Sequence, residues 1–126
     1  MSAATPGQLS ELYCAAFNAG DLEAIVALYE VDALLTRRGR EVRGVQAIRA
    51  AFQETLITTP IARLSLESVE ERRQGDLCLC VSRWTAELKR DERRVSATTL
   101  EVCRRQADGA WKLLIDDPTT LNPPAA

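Results

Sequence analysis

Thr58-Thr59-Pro60-Ile61-Ala62-Arg63-Leu64-Ser65-Leu66-Glu67-Ser68-Val69 is the stretch where the periodicity of the chain changes. A helix must close by Thr58-Thr59-Pro60, because the residue before a proline is driven out of the helical region. From there Ile61, Arg63, Ser65 and Glu67 interleave with Ala62, Leu64, Leu66 and Ser68, the alternation of a half-buried strand. Working outward, the residues upstream read as helices broken by one short hairpin, and those downstream as sheet.

Upstream, Thr5-Pro6 offers an N-cap followed by proline at the first helical position. Leu9, Leu12, Tyr13, Ala16 and Phe17 then recur at helical spacing. Asn18-Ala19-Gly20 is a helix stop, and Asp21 caps a second helix with Leu22, Ile25, Val26 and Tyr29 as its apolar stripe. Ala33 to Thr36 predicts a short strand, Arg38-Gly39-Arg40 a turn and Glu41-Val42-Arg43 a stub of return strand. A third helix carries Val45, Ile48, Phe52 and Thr55 or Leu56. Downstream, turns at Gln74-Gly75-Asp76, Lys89 to Glu92 and Ala107-Asp108-Gly109 separate strands Leu77 to Leu88, Val95 to Arg104 and Trp111 to Asp116. Helices first and hairpins after make an α+β fold, with three N-terminal helices packed into the concave face of a strongly curved mixed or antiparallel sheet. The 126 residues suit a single domain over 1–126, with 1–5 and the proline-rich 118–126 as irregular tails.

Sixteen Lys and Arg against eighteen Asp and Glu leave a formal charge of −2, so no field favours phosphate backbones or anionic lipid. Neither nucleic acid nor membrane is an expected partner, and the chain reads as cytoplasmic, without a secretory leader or membrane helix. Histidine is absent, which removes Ser-His-Asp and Cys-His nucleophiles and His-containing zinc sites. Proton chemistry is left to carboxylates, Tyr, Lys, Arg or thiols. Of the four cysteines, Cys78 and Cys80 share a strand face, and all four are expected to pack as small hydrophobes without metal or redox use. No metal and no cofactor are expected.

The run Tyr13-Cys14-Ala15-Ala16-Phe17-Asn18-Ala19-Gly20-Asp21-Leu22-Glu23-Ala24-Ile25-Val26-Ala27-Leu28-Tyr29 resembles the opening helices of SnoaL-like and ketosteroid-isomerase-like proteins. Gly44-Val45-Gln46-Ala47-Ile48-Arg49 is similar to their third-helix start. Trp111 to Pro118 matches a W-x-x-x-x-D-x-P ending found in the uncharacterised branch of that superfamily. The resemblance implies the nuclear-transport-factor-2-like (cystatin-like) cone around one pocket, usually in a homodimer. It does not transfer an activity, since that scaffold hosts isomerases, cyclases, hydrolases, dehydratases and association domains.

Ketosteroid isomerase, a worked case of pKa tuning, uses a carboxylate base with a tyrosine and a protonated aspartic acid as oxyanion donors. By resemblance Tyr13 matches the tyrosine, Arg37 occupies the place of the base, and the partner acid falls near Thr99 to Glu101. A guanidinium stays protonated and cannot abstract a proton from carbon, so that isomerase mechanism is disfavoured. The family comparison aims Arg83 and Thr85 of one strand, and Thr99 and Glu101 of the next, into the cone, and puts Trp84, Leu100 and Val102 on an outer dimer face. The candidate catalytic residues are Tyr13, Arg37, Glu101 and Asp117, and the candidate ligand contacts are Arg83, Thr85 and Thr99. Arg37 or Arg83 is expected to pair with Glu101, so that losing Glu101 costs on the order of 3 kcal/mol. Each has a structural alternative: Tyr13 as core, Arg37 as part of a basic turn, Arg83 with Glu101 as an open-face pair, and Asp117 as a turn cap before Pro118. The expected function is binding, and in an enzymatic version isomerising, cyclising or hydrating, a small carbonyl-bearing or aromatic metabolite. The alternative is a non-catalytic dimerisation, association or ligand-sensing domain.

Overall fold

The computed structural model describes residues 2–37, 39–58 and 61–122, and its helices begin where their caps stand in the sequence. The Thr5 hydroxyl accepts from Gln8 N at 3.2 Å to open α1 (Pro6–Asn18). Gly20, at φ +67°, ends it with a bond from Asp21 N to Ala16 O at 2.9 Å, a turn that an L side chain would strain. Asp21 accepts from Ala24 N to start α2 (Leu22–Val26). Leu9 and Ala16 of α1, Ile25 of α2, and Ile48 and Phe52 of α3 (Val45–Thr58) are buried in one core.

The strands are β1 (Tyr29–Arg37), β2 (Arg40–Arg43), β3 (Ile61–Gln74), β4 (Leu77–Leu88), β5 (Arg94–Arg105) and β6 (Trp111–Asp117). They form one sheet in the order β2-β1-β6-β5-β4-β3, antiparallel except for the β1–β6 pair. The expected α+β architecture is therefore present, three helices against a curved mixed sheet. Register shifts in β3 near Val69 and in β6 near Leu114 bend the sheet, as inserted residues do. Along the outer edge, Asn18 brackets β3: its amide donates to Leu64 O at 2.9 Å and accepts from Leu64 N at 2.8 Å.

Three boundaries differ from the sequence reading. Tyr29 opens β1 instead of completing the α2 stripe, because Leu113 N donates to Leu28 O at 2.8 Å and draws this segment beside β6. Residues 2–5 are not a loose tail: Ala3 is buried and its carbonyl accepts from Trp111 N at 2.9 Å. Past Pro118 the chain is also held, since Asn122 donates to Thr98 O at 2.5 Å. The rest of the expected tail (123–126), Arg38 of the expected turn and Thr59-Pro60 of the helix stop lie outside the described residues. Among the described residues no helix is long and apolar enough to cross a membrane.

Candidate functional site

Between the helices and the inner face of the sheet is a cavity of about 190 Å³. Its apolar wall is Phe17, Phe52, Leu64, Leu66 and Trp84, and its polar groups come from Tyr13, Arg37, Thr55, Thr99, Glu101 and Asp116. Tyr13 projects from α1 because its ring packs against Phe17 at 6.1 Å and edge-on to Phe52 at 6.0 Å. No other described residue hydrogen-bonds its hydroxyl. Burial first, then the charges of Asp116 and Glu101, hold that phenol well above its usual pKa, with Arg37 opposing.

The centre of the site is a cross-strand pair of acids. Glu101 on β5 stands directly opposite Asp116 on β6, so the two carboxyls share one face as nearest neighbours. Both are buried. Desolvation, then the charge of Asp116, pushes Glu101 up to about 7, while the Ser82 hydroxyl works the other way. Asp116 is raised to about 6 by burial, against the hydrogen bond it accepts from the Tyr29 hydroxyl at 2.6 Å. Two such groups titrate as a unit, and near neutral pH the unit retains about one proton.

Of the residues singled out in the sequence, the structure gathers Tyr13, Arg37, Thr99 and Glu101 around the cavity. Arg83 and Thr85 are not there. β4 is turned the other way: Cys80 lies opposite Glu101, Ser82 opposite Thr99 and Trp84 opposite Ala97, so the even-numbered residues face inward. Arg83 is exposed on the outer face, and Thr85 meets Ser96 at 3.0 Å. Trp84, expected on the dimer face, lines the cavity instead. Both faces of this strand are apolar enough that hydrophobicity alone could not orient it, with Leu77 and Leu79 exposed on the outer side.

The expected arginine partner for Glu101 is also absent. Arg83 points away, and the Arg37 guanidinium donates to Ala51 O at 2.9 Å. Glu101 therefore faces another acid, which reverses the expected cost of losing its charge.

Asp117 is on the far side of β6. It accepts from the Thr36 hydroxyl at 2.6 Å, from Thr119 N and Oγ1, each at 3.1 Å, and from Thr120 N at 3.0 Å, with the Thr120 hydroxyl also bonded to it. Burial alone would raise its pKa, but these donors together hold it well below the usual carboxylate range. Its geometry is that of a turn cap. Asp116 took its place inside because Leu114 is an extra residue: Val102 pairs with Ile115 but Cys103 with Leu113, and that shift exchanges the two faces. Tyr29 and Ser82 were also missed: the sequence reads Tyr29 as part of the second helix's apolar stripe, and Ser82 carried no signal beyond lying on a strand.

Cys78, Cys80 and Cys103 are buried free thiols beside the site, with Cys78 Sγ 3.6 Å from Cys80 Sγ. Burial pushes the Cys78 thiol up to about 12, and hydrogen bonding to Cys103 raises Cys80 further, so neither offers a thiolate. Among the described residues no cluster of His, Cys, Asp and Glu is arranged to hold a metal ion.

The sequence model of a family described as SnoaL-like domain matches residues 10–114. Among solved structures, a Thiobacillus denitrificans protein described as a calcium/calmodulin-dependent protein kinase type II association domain superposes with a TM-score of 0.81 at 23% identity, covering 95% of this chain and 99% of that one. An NTF-2 like protein of unknown function from Shewanella oneidensis gives 0.74 at 22% identity, over 87% and 92%. A ketosteroid isomerase-like protein from Erwinia carotovora atroseptica gives 0.70 at 22%, over 87% and 88%. At these identities the likenesses establish the fold alone. No curated protein matches the chain.

Proposed function

The chain belongs to the SnoaL-like domain family, and from that premise we propose that it binds a small carbonyl-bearing aromatic compound in the cone and moves a proton on it. One observation carries this reading: two buried, opposed carboxyls and a tyrosine lining one cavity whose wall is mostly apolar. Protonated Glu101 and Tyr13 donate hydrogen bonds to the carbonyl oxygen. The carboxylate of Asp116, held by Tyr29 through Oδ2, takes a proton from the adjacent carbon through Oδ1. The C–H electron pair passes into an enolate whose oxygen Glu101 and Tyr13 stabilise, and returning the proton elsewhere completes an isomerisation. Arg37 cannot be the base. Two carboxyls whose environments differ divide acid from base in the manner such sites require.

The test is solvent-deuterium incorporation into the methyl group of acetophenone, followed by NMR. Wild type is expected to exchange it faster than buffer, Asp116→Asn at the buffer rate, and Tyr13→Phe about 10²-fold slower than wild type. Calorimetry with the same ketone separates binding from turnover, and absence of binding to wild type rejects the reading.

A second copy of the chain is the proposed partner. Leu79 on β4 lies opposite Val102 on β5, which lies opposite Ile115 on β6, a continuous apolar row on the outer face. Leu79 is 45% exposed. Glu67, Glu70, Arg72 and Arg83 flank the row with both signs of charge, as a self-complementary interface needs. Buried free thiols fit a reducing, cytoplasmic setting.

A further inference from the structure

Arg37 closes the β1–β2 hairpin directly opposite Arg40. Opposed residues share a sheet face, and like charges placed so repel unless something of the other sign lies between them. Arg37 is half-buried in the cavity wall, while Arg40 is exposed outside it. None of the ion pairs among the described residues includes either one. Glu41, the nearest acid along β2, is opposite Thr36 and therefore on the other face, where it binds Arg43 at 2.9 Å.

The Arg37 guanidinium donates to Ala51 O, and no other described residue accepts from its fork. A cation in a partly desolvated wall without a counter-charge is costly, and an anion that pairs with it offsets that cost. Among the described residues neither Glu101 nor Asp116 forms an ion pair with Arg37. Arg37 instead lies close enough to Tyr13 to oppose the rise in its pKa. Cation and acid pair thus line one cavity without pairing, with Phe17, Phe52, Leu66 and Trp84 in its wall.

We propose that Arg37, with Arg40 beside it, is a carboxylate-binding end of the cavity, and that the ligand is a small aromatic carboxylate with a carbonyl oxygen at its other end. This rests on the oxygen-binding role assigned to Glu101 and Tyr13, and it adds the charge and polarity of the ligand. A bidentate guanidinium–carboxylate contact fixes the direction in which the ligand enters, so that its carbonyl meets the acids.

The experiment is calorimetric titration at low salt with 4-oxo-4-phenylbutanoate and with its uncharged methyl ester. Wild type is expected to prefer the acid by about tenfold or more. Arg37→Gln abolishes the preference. Arg37→Lys, which keeps charge without the fork, retains part of it. Arg40→Gln, an exposed change that leaves the packing alone, lowers the preference by about threefold. Glu101→Gln weakens acid and ester together and leaves their ratio unchanged. Equal affinity of wild type for the two compounds, or a preference that survives both Arg37→Gln and Arg40→Gln, overturns the carboxylate site while the oxygen-binding cavity stands. Failure of wild type to bind either compound overturns both.

Discussion

Asp116 and Asp117 are adjacent in the chain and opposite in fate. Asp116 is turned into the cavity with one hydroxyl donor, Tyr29, and another acid, Glu101, as its neighbours. Asp117 is turned out into a nest of Thr36, Thr119 and Thr120 donors. The first is made a weaker acid and the second a stronger one. A single inserted residue, Leu114, decides which is which.

Glu101 supplies the pH prediction. Its folded pKa, about 7, lies above its ordinary value of 4.5, so the native state holds a proton that the unfolded chain releases. Stability from this group is full below about pH 4.5 and is lost as pH rises through 7, by on the order of 3 kcal/mol. Glu101→Gln is therefore expected to melt with wild type near pH 4.5 and above it at pH 8. Thermal denaturation across that range measures the difference, and a variant less stable than wild type at pH 8 would contradict it.

Tyr29→Phe removes the hydroxyl that favours ionised Asp116. A charge-assisted hydrogen bond lost in a buried place costs about 1–3 kcal/mol. The loss should be larger at pH 8, where Asp116 is ionised, than at pH 4.5, where it is protonated. Denaturant titrations at the two values check the difference, and an equal loss at both would assign Tyr29 a packing role only.

Asp117→Asn should separate the two aspartates in function. Loosening the Thr36 and Thr120 contacts is expected to lower stability by about 1–2 kcal/mol at pH 7. Proton exchange on acetophenone should continue near the wild-type rate in this variant and stop in Asp116→Asn. Exchange lost in Asp117→Asn, in protein still folded by circular dichroism, would return Asp117 to the site.

Trp84 lies in the cavity wall, whereas Trp111 is buried beneath Arg73, 4.9 Å from its ring, and Arg105. An aromatic ketone should quench the fluorescence of wild type and Trp111→Phe, and leave that of Trp84→Phe nearly unchanged. Titration by fluorescence reads this directly, with quenching in Trp84→Phe as the contrary result.

Leu79→Glu places a charge in the exposed row Leu79, Val102 and Ile115. If a second copy covers that row, analytical ultracentrifugation should show a dimer for wild type and a monomer for the variant at micromolar concentration. A wild-type monomer at all concentrations would leave this face without its proposed partner.

The helix caps at Thr5 and Asp21, the stop at Gly20 and the turns around Gly75 and Gly109 were legible in the sequence because each is a contest between neighbours in the chain, settled by local sterics and hydrogen bonds. Hydrophobic spacing identified three helices and a long hairpin sheet, and the residues Tyr13 to Tyr29 and Trp111 to Pro118 carried the family. Tertiary structure alone decided which side of β4 and β6 faces the cavity. A strand has a period of two, so one inserted residue or a reversed assignment exchanges every side chain between core and solvent. That choice put Asp116, Ser82 and Trp84 inside and Arg83 and Asp117 outside. The carboxyl pair exists only through the register that sets Glu101 against Asp116, a distance of fifteen positions that no local spacing encodes.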